Sequence, residues 1–326
     1  MVALGRAGLA YPAVMRAVLV VNPKATATTA AGRDVLAHAL ASQVNKLEIL
    51  ETDYRGHAMA AAAQAAADGA DLVVAHGGDG TVNEVVNGLL SRGVVPELPM
   101  LGIVPGGSAN VFARSLGLPR DPVEATHQLL HALEDRRSRQ VGLGKMESDR
   151  PGDPVRWFTF SAGVGLDADV VAEVDRKRGK KASPALYTRV AVTQYLKPSR
   201  PRAELTVSIP GEEPVSGLRL VFVSNTDPWT YLGARPIHLN RGCGFEGDLG
   251  VFALRTLWLP TVIRHLRQAV SRKGEQRGRQ LFRRDDVPGL TITSDNPVRV
   301  QCDGDLIGER TCVKISSVRH ALTVAG

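Results

Sequence analysis

An apolar run, Asp71-Leu72-Val73-Val74-Ala75, passes through His76 into Gly77-Gly78-Asp79-Gly80-Thr81-Val82-Asn83-Glu84. The run reads as a buried parallel strand. Beyond it Val82, Val85, Val86, Leu89 and Leu90 recur at helical spacing, and Gly93 ends the pattern. Thr81 and Glu84 have the spacing of a capping box. A glycine-rich turn therefore joins a strand to a helix N-terminus. That geometry suits phosphate: glycines admit close backbone approach, N–H groups point outward, and the helix dipole favours an anion. Asp79 is the odd residue, because a carboxylate repels phosphate unless a metal or a proton-transfer role reconciles them. The functional reading is a nucleotide site with a divalent cation. The plain alternative is a strand-to-helix turn.

The flanking sequence repeats the theme. Residues 17–21 form an apolar run closed by Asn22-Pro23, and Thr28 or Thr29 can cap a helix reaching about residue 41. Residues 47–52 read as a second strand, followed by an alanine-rich helix over 56–68 that ends at Gly69. Residues 100–104 form a fourth short strand, entering Pro105-Gly106-Gly107-Ser108-Ala109-Asn110 and a helix stopped by Gly117. Asp121-Pro122 opens another helix, to about residue 134. Strands alternating with helices predict a parallel sheet with helices on both faces, whose ligands lie beyond the strands' carboxyl ends. Four segments then converge on one edge: Asn22-Pro23, Thr52, residues 77–81 and residues 106–110.

The pattern changes near Gly142. Residues 147–153 read as a polar loop. From Trp157 onward the strand-like runs are 157–161, 205–209, 218–224, 249–254, 290–293, 298–302 and 313–316. Helical stretches interrupt them around 168–174, 185–195 and 260–270. Consecutive strands predict a β-rich, largely antiparallel second domain. The expected division is a loose extension over 1–14, an α/β nucleotide-binding domain over 15–143, and a β-rich substrate domain over 144–311. Cys302-Asp303-Gly304-Asp305 places two acids around a glycine, which is also a common hairpin turn. The acids of Cys243-Gly244-Phe245-Glu246-Gly247-Asp248 could bind a hard cation or simply form a turn.

Of 326 residues, 44% are hydrophobic and 22% charged, enough apolar content for sizeable cores. No run approaches the ~18 apolar residues of a membrane span, and residues 1–14 lack the pattern of a signal peptide. Three scattered cysteines and eight unpaired histidines show no zinc spacing, so reduced thiols in a cytoplasm are expected. The net charge of +7 favours anionic partners. Arg264, Arg267, Arg272, Lys273, Arg277, Arg279, Arg283 and Arg284 crowd one stretch against a single acid, Glu275; Arg176, Lys177, Arg178, Lys180 and Lys181 form a second cluster. They read either as solvated faces or as patches that hold the chain peripherally on an anionic membrane. With aromatics at 5% and no recognised motif, nucleic acid is not expected as a partner. A homodimer stays open.

Taken together, these residues resemble the diacylglycerol kinase catalytic family in its bacterial lipid-kinase branch, related to sphingosine and ceramide kinases. The matching pieces are Asn22-Pro23, Gly77 with the seven residues after it, and Pro105-Gly106-Gly107-Ser108-Ala109-Asn110-Val111-Phe112-Ala113-Arg114. Later come Ser161-Ala162-Gly163-Val164-Gly165-Leu166-Asp167-Ala168 and Asp303-Gly304-Asp305. The first glycine turn alone is shared with NAD kinases and phosphofructokinases. The resemblance implies a NAD kinase/phosphofructokinase-like amino-terminal domain, a β-rich carboxy-terminal domain, a cleft between them, and a last strand, about 312–326, that returns to the first domain. It implies ATP and Mg²⁺. ATP would be held by Asn22, Pro23, Lys24, Ala25, Thr26, Thr52, Gly77, Gly78, Asp79, Gly80, Thr81, Val82, Asn83, Gly106, Gly107, Ser108 and Asn110. Asp305 would be the general base with Asp303 beside it, Asp79 would compete for that role or serve the metal-bound phosphates, and Glu246, Asp248 and the Cys243 carbonyl would hold a structural magnesium. The implied reaction is transfer of phosphate to the hydroxyl of diacylglycerol. The alternatives are a sphingosine- or ceramide-type acceptor, a soluble NAD kinase-like phosphotransferase, and a non-catalytic lipid- or nucleotide-binding module.

Overall fold

The structure is a computed structural model that describes residues 15–165, 168–169, 203–271 and 274–326. The expected extension over 1–14, the cluster from Arg176 to Lys181, Arg272, Lys273, Leu166, Asp167 and most of the two helical stretches before residue 200 lie outside the described residues.

Four strands form a parallel unit: β1 (Arg16–Val21), β2 (Lys46–Glu51), β3 (Leu72–Gly77) and β4 (Met100–Pro105), in the order β2-β1-β3-β4. The inner strands read as unbroken apolar runs because both of their faces are covered. Val18, Val20, Val73, Ala75, Leu101 and Ile103 meet one core, under α2 (His57–Ala67) and α3 (Asp79–Leu89). Ala17, Leu19, Val21, Leu72, Val74 and Val104 meet the other, under α1 (Ala30–Ala41) and α5 (Pro122–Glu134). Thr29 caps α1 by accepting from the Gly32 amide, and Asp121 caps α5 with Pro122 behind it.

The alanine-rich α2 owes its composition to α3. Ala58, Ala62 and Ala65 are buried against it, and a Cβ on Gly88 of α3 would lie 2.2 Å from the Met59 carbonyl oxygen. Small side chains on both helices allow that backbone approach.

One expected local feature does not form. The helix after the first glycine turn starts at Asp79, with Gly78 at the cap and no side-chain cap bond, so Thr81 and Glu84 make no capping box. The Glu84 carboxylate reaches instead to α2 and accepts from the Gly56 and Ala58 amides, at 2.8 and 3.2 Å. A tertiary contact took the acid that the local spacing had assigned to its own helix.

The remaining chain is largely antiparallel. β5 (Ser138–Ser148) and β16 (Asp305–Ala325) pair along most of their lengths, and β16 lies parallel to β4 at Val324. Residues 147 and 148 thus belong to a strand rather than to the polar loop. Beyond β16 the sheet continues through β15 (Gly289–Cys302), β7 (Ser161–Gly165), β10 (Leu220–Ser224), β13 (Leu249–Leu254) and β14 (Leu281–Val287). The runs at 290–293 and 298–302 are one strand, β15, irregular between Thr293 and Val298. β6 (Arg156–Phe158), β8 (Leu205–Ser208) and β9 (Val215–Leu218) branch from this path, and β11 (Thr230–Leu232) and β12 (Arg235–Ile237) form a separate hairpin. Val221, Val223, Val251 and Ala253 face a core shared with Met146, Phe158 and Leu205. Leu220, Phe222, Phe252 and Leu254 face the opposite side, where α6 (Leu259–Val270) lies across them. Among the described residues no helix is long and apolar enough to cross a membrane.

Gly88→Ala should therefore destabilise the chain by about 1–3 kcal/mol, since overpacking outweighs the ~1 kcal/mol helix-propensity gain. Urea unfolding followed by circular dichroism checks this.

Candidate functional site

The carboxyl ends of the parallel strands do converge. At the end of β1 the Asn22 amide donates to the His76 carbonyl (2.9 Å), and the Asn22 side chain donates to Thr81 Oγ1 (3.0 Å). Thr52, after β2, is buried and donates its amide to Val21 O (2.8 Å). The two glycine turns, after β3 and β4, pack backbone against backbone. The Gly106 amide donates to Gly77 O (2.7 Å), and a Cβ on Gly107 would stand 2.6 Å from Gly78 Cα. These glycines are required by each other before any ligand is considered. Asn110, at φ 49°, seals its turn by accepting from the Gly107 amide (2.9 Å) and donating to the Gly107 carbonyl (2.8 Å).

Facing these turns, the Pro23-Lys24-Ala25-Thr26 loop is tied down by Ala27 N donating to Gly106 O (2.8 Å). Lys24 Nζ donates to the Asp53 carbonyl (3.0 Å), and the Thr26 and Ser108 hydroxyls stand 3.4 Å apart. Gly80, Pro23, Lys24 and Thr26 are exposed along this edge, whereas Thr81 and Val82 are buried, Val82 in the core.

Three acids gather at the same place in distinct settings. Asp79, half-buried at the start of α3, accepts from the Phe112 amide (3.4 Å), so it braces the start of α4 (Val111–Ser115) after the second turn. Burial, then the nearby Asp303 carboxylate, push Asp79 up to about 6. Asp303 is buried at φ 48° and accepts five hydrogen bonds: from Asn83 Nδ2 (2.8 Å), Thr159 N (2.6 Å), Thr159 Oγ1 (2.7 Å), Phe160 N (3.0 Å) and Ser161 N (3.0 Å). Burial raises its pKa while these donors pull against the rise. A carboxylate so saturated is a fastener, with little capacity left to take a proton from a ligand. Asp305 differs: its Oδ1 lies 3.1 Å from Arg55 Nη2, its Oδ2 lies 4.0 Å from where a Gly80 Cβ would sit, and the side chain is partly exposed.

Residues absent from the expected set complete the frame. Asn87 donates to Asn83 Oδ1 (3.1 Å) and Trp157 O (2.9 Å) and accepts from Trp157 N (2.9 Å). Buried Asn225 donates to Gly142 O and Thr159 O, each at 2.9 Å. Arg114 stacks 3.2 Å from the Tyr231 ring centroid and donates to Gly233 O, joining α4 to the β11–β12 hairpin. Asn83 and Asn87, one turn apart on α3, were the available sequence signal.

The candidate metal loop is arranged otherwise. Both Asp248 carboxylate oxygens accept from Arg319, at 3.0 and 2.7 Å, and the Asp248 amide donates to Asp286 Oδ1 (2.8 Å). Glu246 is exposed. Among the described residues no three His, Cys, Asp or Glu side chains are grouped to hold a metal. Arg319 thus occupies the carboxylate of Asp248, the acid expected to hold a structural magnesium with Glu246 and the Cys243 carbonyl.

Residues 16–146 match the Diacylglycerol kinase catalytic domain family, as the motif resemblance implied. A diacylglycerol kinase of Bacillus subtilis is 39% identical over 170 residues, 50% of each chain. One from Staphylococcus saprophyticus is 31% identical over 179 residues, 53% of this chain and 52% of that one. The chain thus spans about half the length of the curated relatives it matches. Among solved structures, a diacylglycerol kinase from Bacillus anthracis strain Sterne superposes with a TM-score of 0.69 at 21% identity, covering 97% of this chain and 98% of that one. An NAD kinase from Archaeoglobus fulgidus in complex with ATP has a TM-score of 0.52 at 11% identity, covering 96% and 94%. These likenesses bear out the α/β plus β-rich fold.

Two outcomes follow. The folded chain holds the Asp79 proton more tightly than the unfolded chain, so Asp79 makes stability fall as pH rises from about 4 to about 6. The stability difference between the chain and Asp79→Asn, measured by urea unfolding across that window, should shrink or reverse in step; parallel curves would exclude it. Asp303→Asn, which turns an NH₂ group toward amide donors, should cost about 2 kcal/mol or more in the same assay.

Proposed function

We propose that this chain is an ATP-dependent lipid kinase that phosphorylates the hydroxyl of diacylglycerol to give phosphatidic acid. The observation that carries the reading is the position of Asp305. A partly exposed carboxylate abuts Gly80 of the first glycine turn, where the transferring phosphate of a bound nucleotide would lie. The family match over residues 16–146 supports the same assignment.

ATP, entering as its magnesium complex, is the phosphate donor. Its phosphates lie along the outer edge of the two glycine turns, beside Gly78, Gly80, Gly107 and Ser108, where the N-terminus of α3 favours negative charge. Lys24, Thr26 and Ser108 border them, and Asn22, Thr52 and Asn110 hold the loops in shape. The lipid hydroxyl forms a bond to the γ-phosphorus as the bond to the ADP oxygen breaks, and its proton passes to Asp305. Asp303 positions Asp305, and Asp79 braces the second turn. Such a reaction depends on positioning and electrostatics. The nucleotide domain is residues 15–143 joined by about 312–326, and residues 144–311 carry the lipid. The chain works peripherally on a membrane, drawn there by its basic excess.

The test offers labelled ATP with diacylglycerol, ceramide, sphingosine and NAD in parallel. Label is expected in phosphatidic acid. Asp305→Asn should cut that rate by about 100-fold or more while ATP binding persists. Label in NADP, or near-normal turnover by Asp305→Asn, overturns the reading.

A further inference from the structure

The arginine-rich stretch resolves into two different surfaces. Arg283 and Arg284 lie on β14 and are paired, with Asp285 (2.7 Å) and Glu212 (2.9 Å). Arg277 is paired with Glu275. Arg264, Arg267 and Arg279 are exposed and, among the described residues, have no carboxylate partner.

Two of these three lie on α6, and the helix is divided lengthwise. One face is buried: Ala269 packs on the sheet, and His265 packs edge-on to Phe252 and bonds Gln276 (2.8 Å). A second stripe is apolar and faces out. Leu259 is 45% exposed, Ile263 46% and Leu266 56%, with Trp258 at 69% just before the helix. The spacing of 259, 263 and 266 keeps them in line. The third stripe, beside the second, carries Arg264 and Arg267. A cavity of about 430 Å³, lined in part by Trp258, Arg264, His265, Gly278 and Arg279, opens between the basic side of the helix and the segment that follows it.

An exposed apolar stripe on a firmly anchored helix whose charged residues, Arg264 and Arg267, lie along one side of it has the chemistry of an interfacial helix. A second copy of the chain is a poorer occupant, because a two-fold contact across this face would bring two uncompensated arginine rims together. We propose that α6 is a membrane-docking helix. Trp258, Leu259, Ile263 and Leu266 enter the surface of an anionic phospholipid bilayer, while Arg264, Arg267 and Arg279 meet its phosphates. The inference rests on the lipid-kinase reading for its purpose, since a diacylglycerol acceptor resides in such a surface.

The experiment uses the full chain with phosphatidylcholine vesicles, with and without phosphatidylglycerol, followed by co-sedimentation and tryptophan emission. Trp157 is buried and Trp229 half-buried, so insertion of Trp258 should shift emission to the blue, and Trp258→Phe should lose the shift. Binding is expected on the phosphatidylglycerol vesicles. It should fall at least about tenfold for Ile263→Asp/Leu266→Asp and for Arg264→Glu/Arg267→Glu. Both variants should keep full activity on a dispersed short-chain diacylglycerol. Binding unchanged in either variant overturns the proposal, as does a concentration-dependent dimer that only the aspartate variant abolishes. If vesicle binding follows the variants but no lipid is phosphorylated, the docking assignment stands and the kinase reading fails.

Discussion

The site depends on one buried carboxylate. Asp303 accepts donors from α3 on one side and from residues 159–161 on the other, so a single side chain fastens the helix behind the first glycine turn to the antiparallel strands. Leaving any of those donors unpaired in the interior would cost about 1–3 kcal/mol, which explains why a charged group is tolerated there. The left-handed conformations at Asp303 and Gly304, φ 48° and 82°, then turn the chain within two residues. Asp305 is delivered outward, to the edge of the first turn. The interior acid and the edge acid are separated in role by burial and by the five donors that saturate the first, although the sequence presents them symmetrically about a glycine.

That symmetry marks what the sequence could and could not disclose. The strand–turn–helix units were legible because their signals are local: apolar runs, glycines at turns, Thr29 and Asp121 at caps. The convergence of four loops followed from the topology rule for parallel sheets. The partner of a polar residue was not legible. Glu84 has the spacing to cap α3 but caps α2, and Asp248 has the setting of a metal ligand but faces Arg319. Both outcomes were decided by residues 26 or more positions away. β14 was hidden for a related reason: its Arg283 and Arg284 read as part of a charge run, yet on an edge strand such residues are unsurprising.

The glycines also carry a double burden. Gly107 presses against Gly78 at a distance that excludes a side chain, and a Cβ on Gly106 would crowd both Gly77 Cα (3.1 Å) and Thr28 Oγ1 (2.7 Å). A phosphate-binding reading would alone justify glycine on the exposed face of each turn. The mutual contact justifies it independently, from behind. Rigid contact between the turns also means that a ligand spanning them meets a preformed surface, and little ordering entropy is left to oppose binding.

The edge acid has one further neighbour whose placement traces back to the same helix. The Asp305–Arg55 pair is largely exposed on the arginine side, and such pairs contribute about 0–1 kcal/mol. Its value is therefore geometric. Arg55 precedes Gly56, whose amide is held by Glu84, while Asp305 follows Asp303, which is held by Asn83. Asn83 and Glu84 are adjacent on α3. Consecutive side chains of one helix thus set both members of the pair, one through α2 and one through β15 and β16. On the proposed reading, the helix whose N-terminus faces the phosphates also fixes the base that must act beside them. The frame that holds Asp305 runs through Asp303 and Asn83 and does not depend on the Arg55 ion pair.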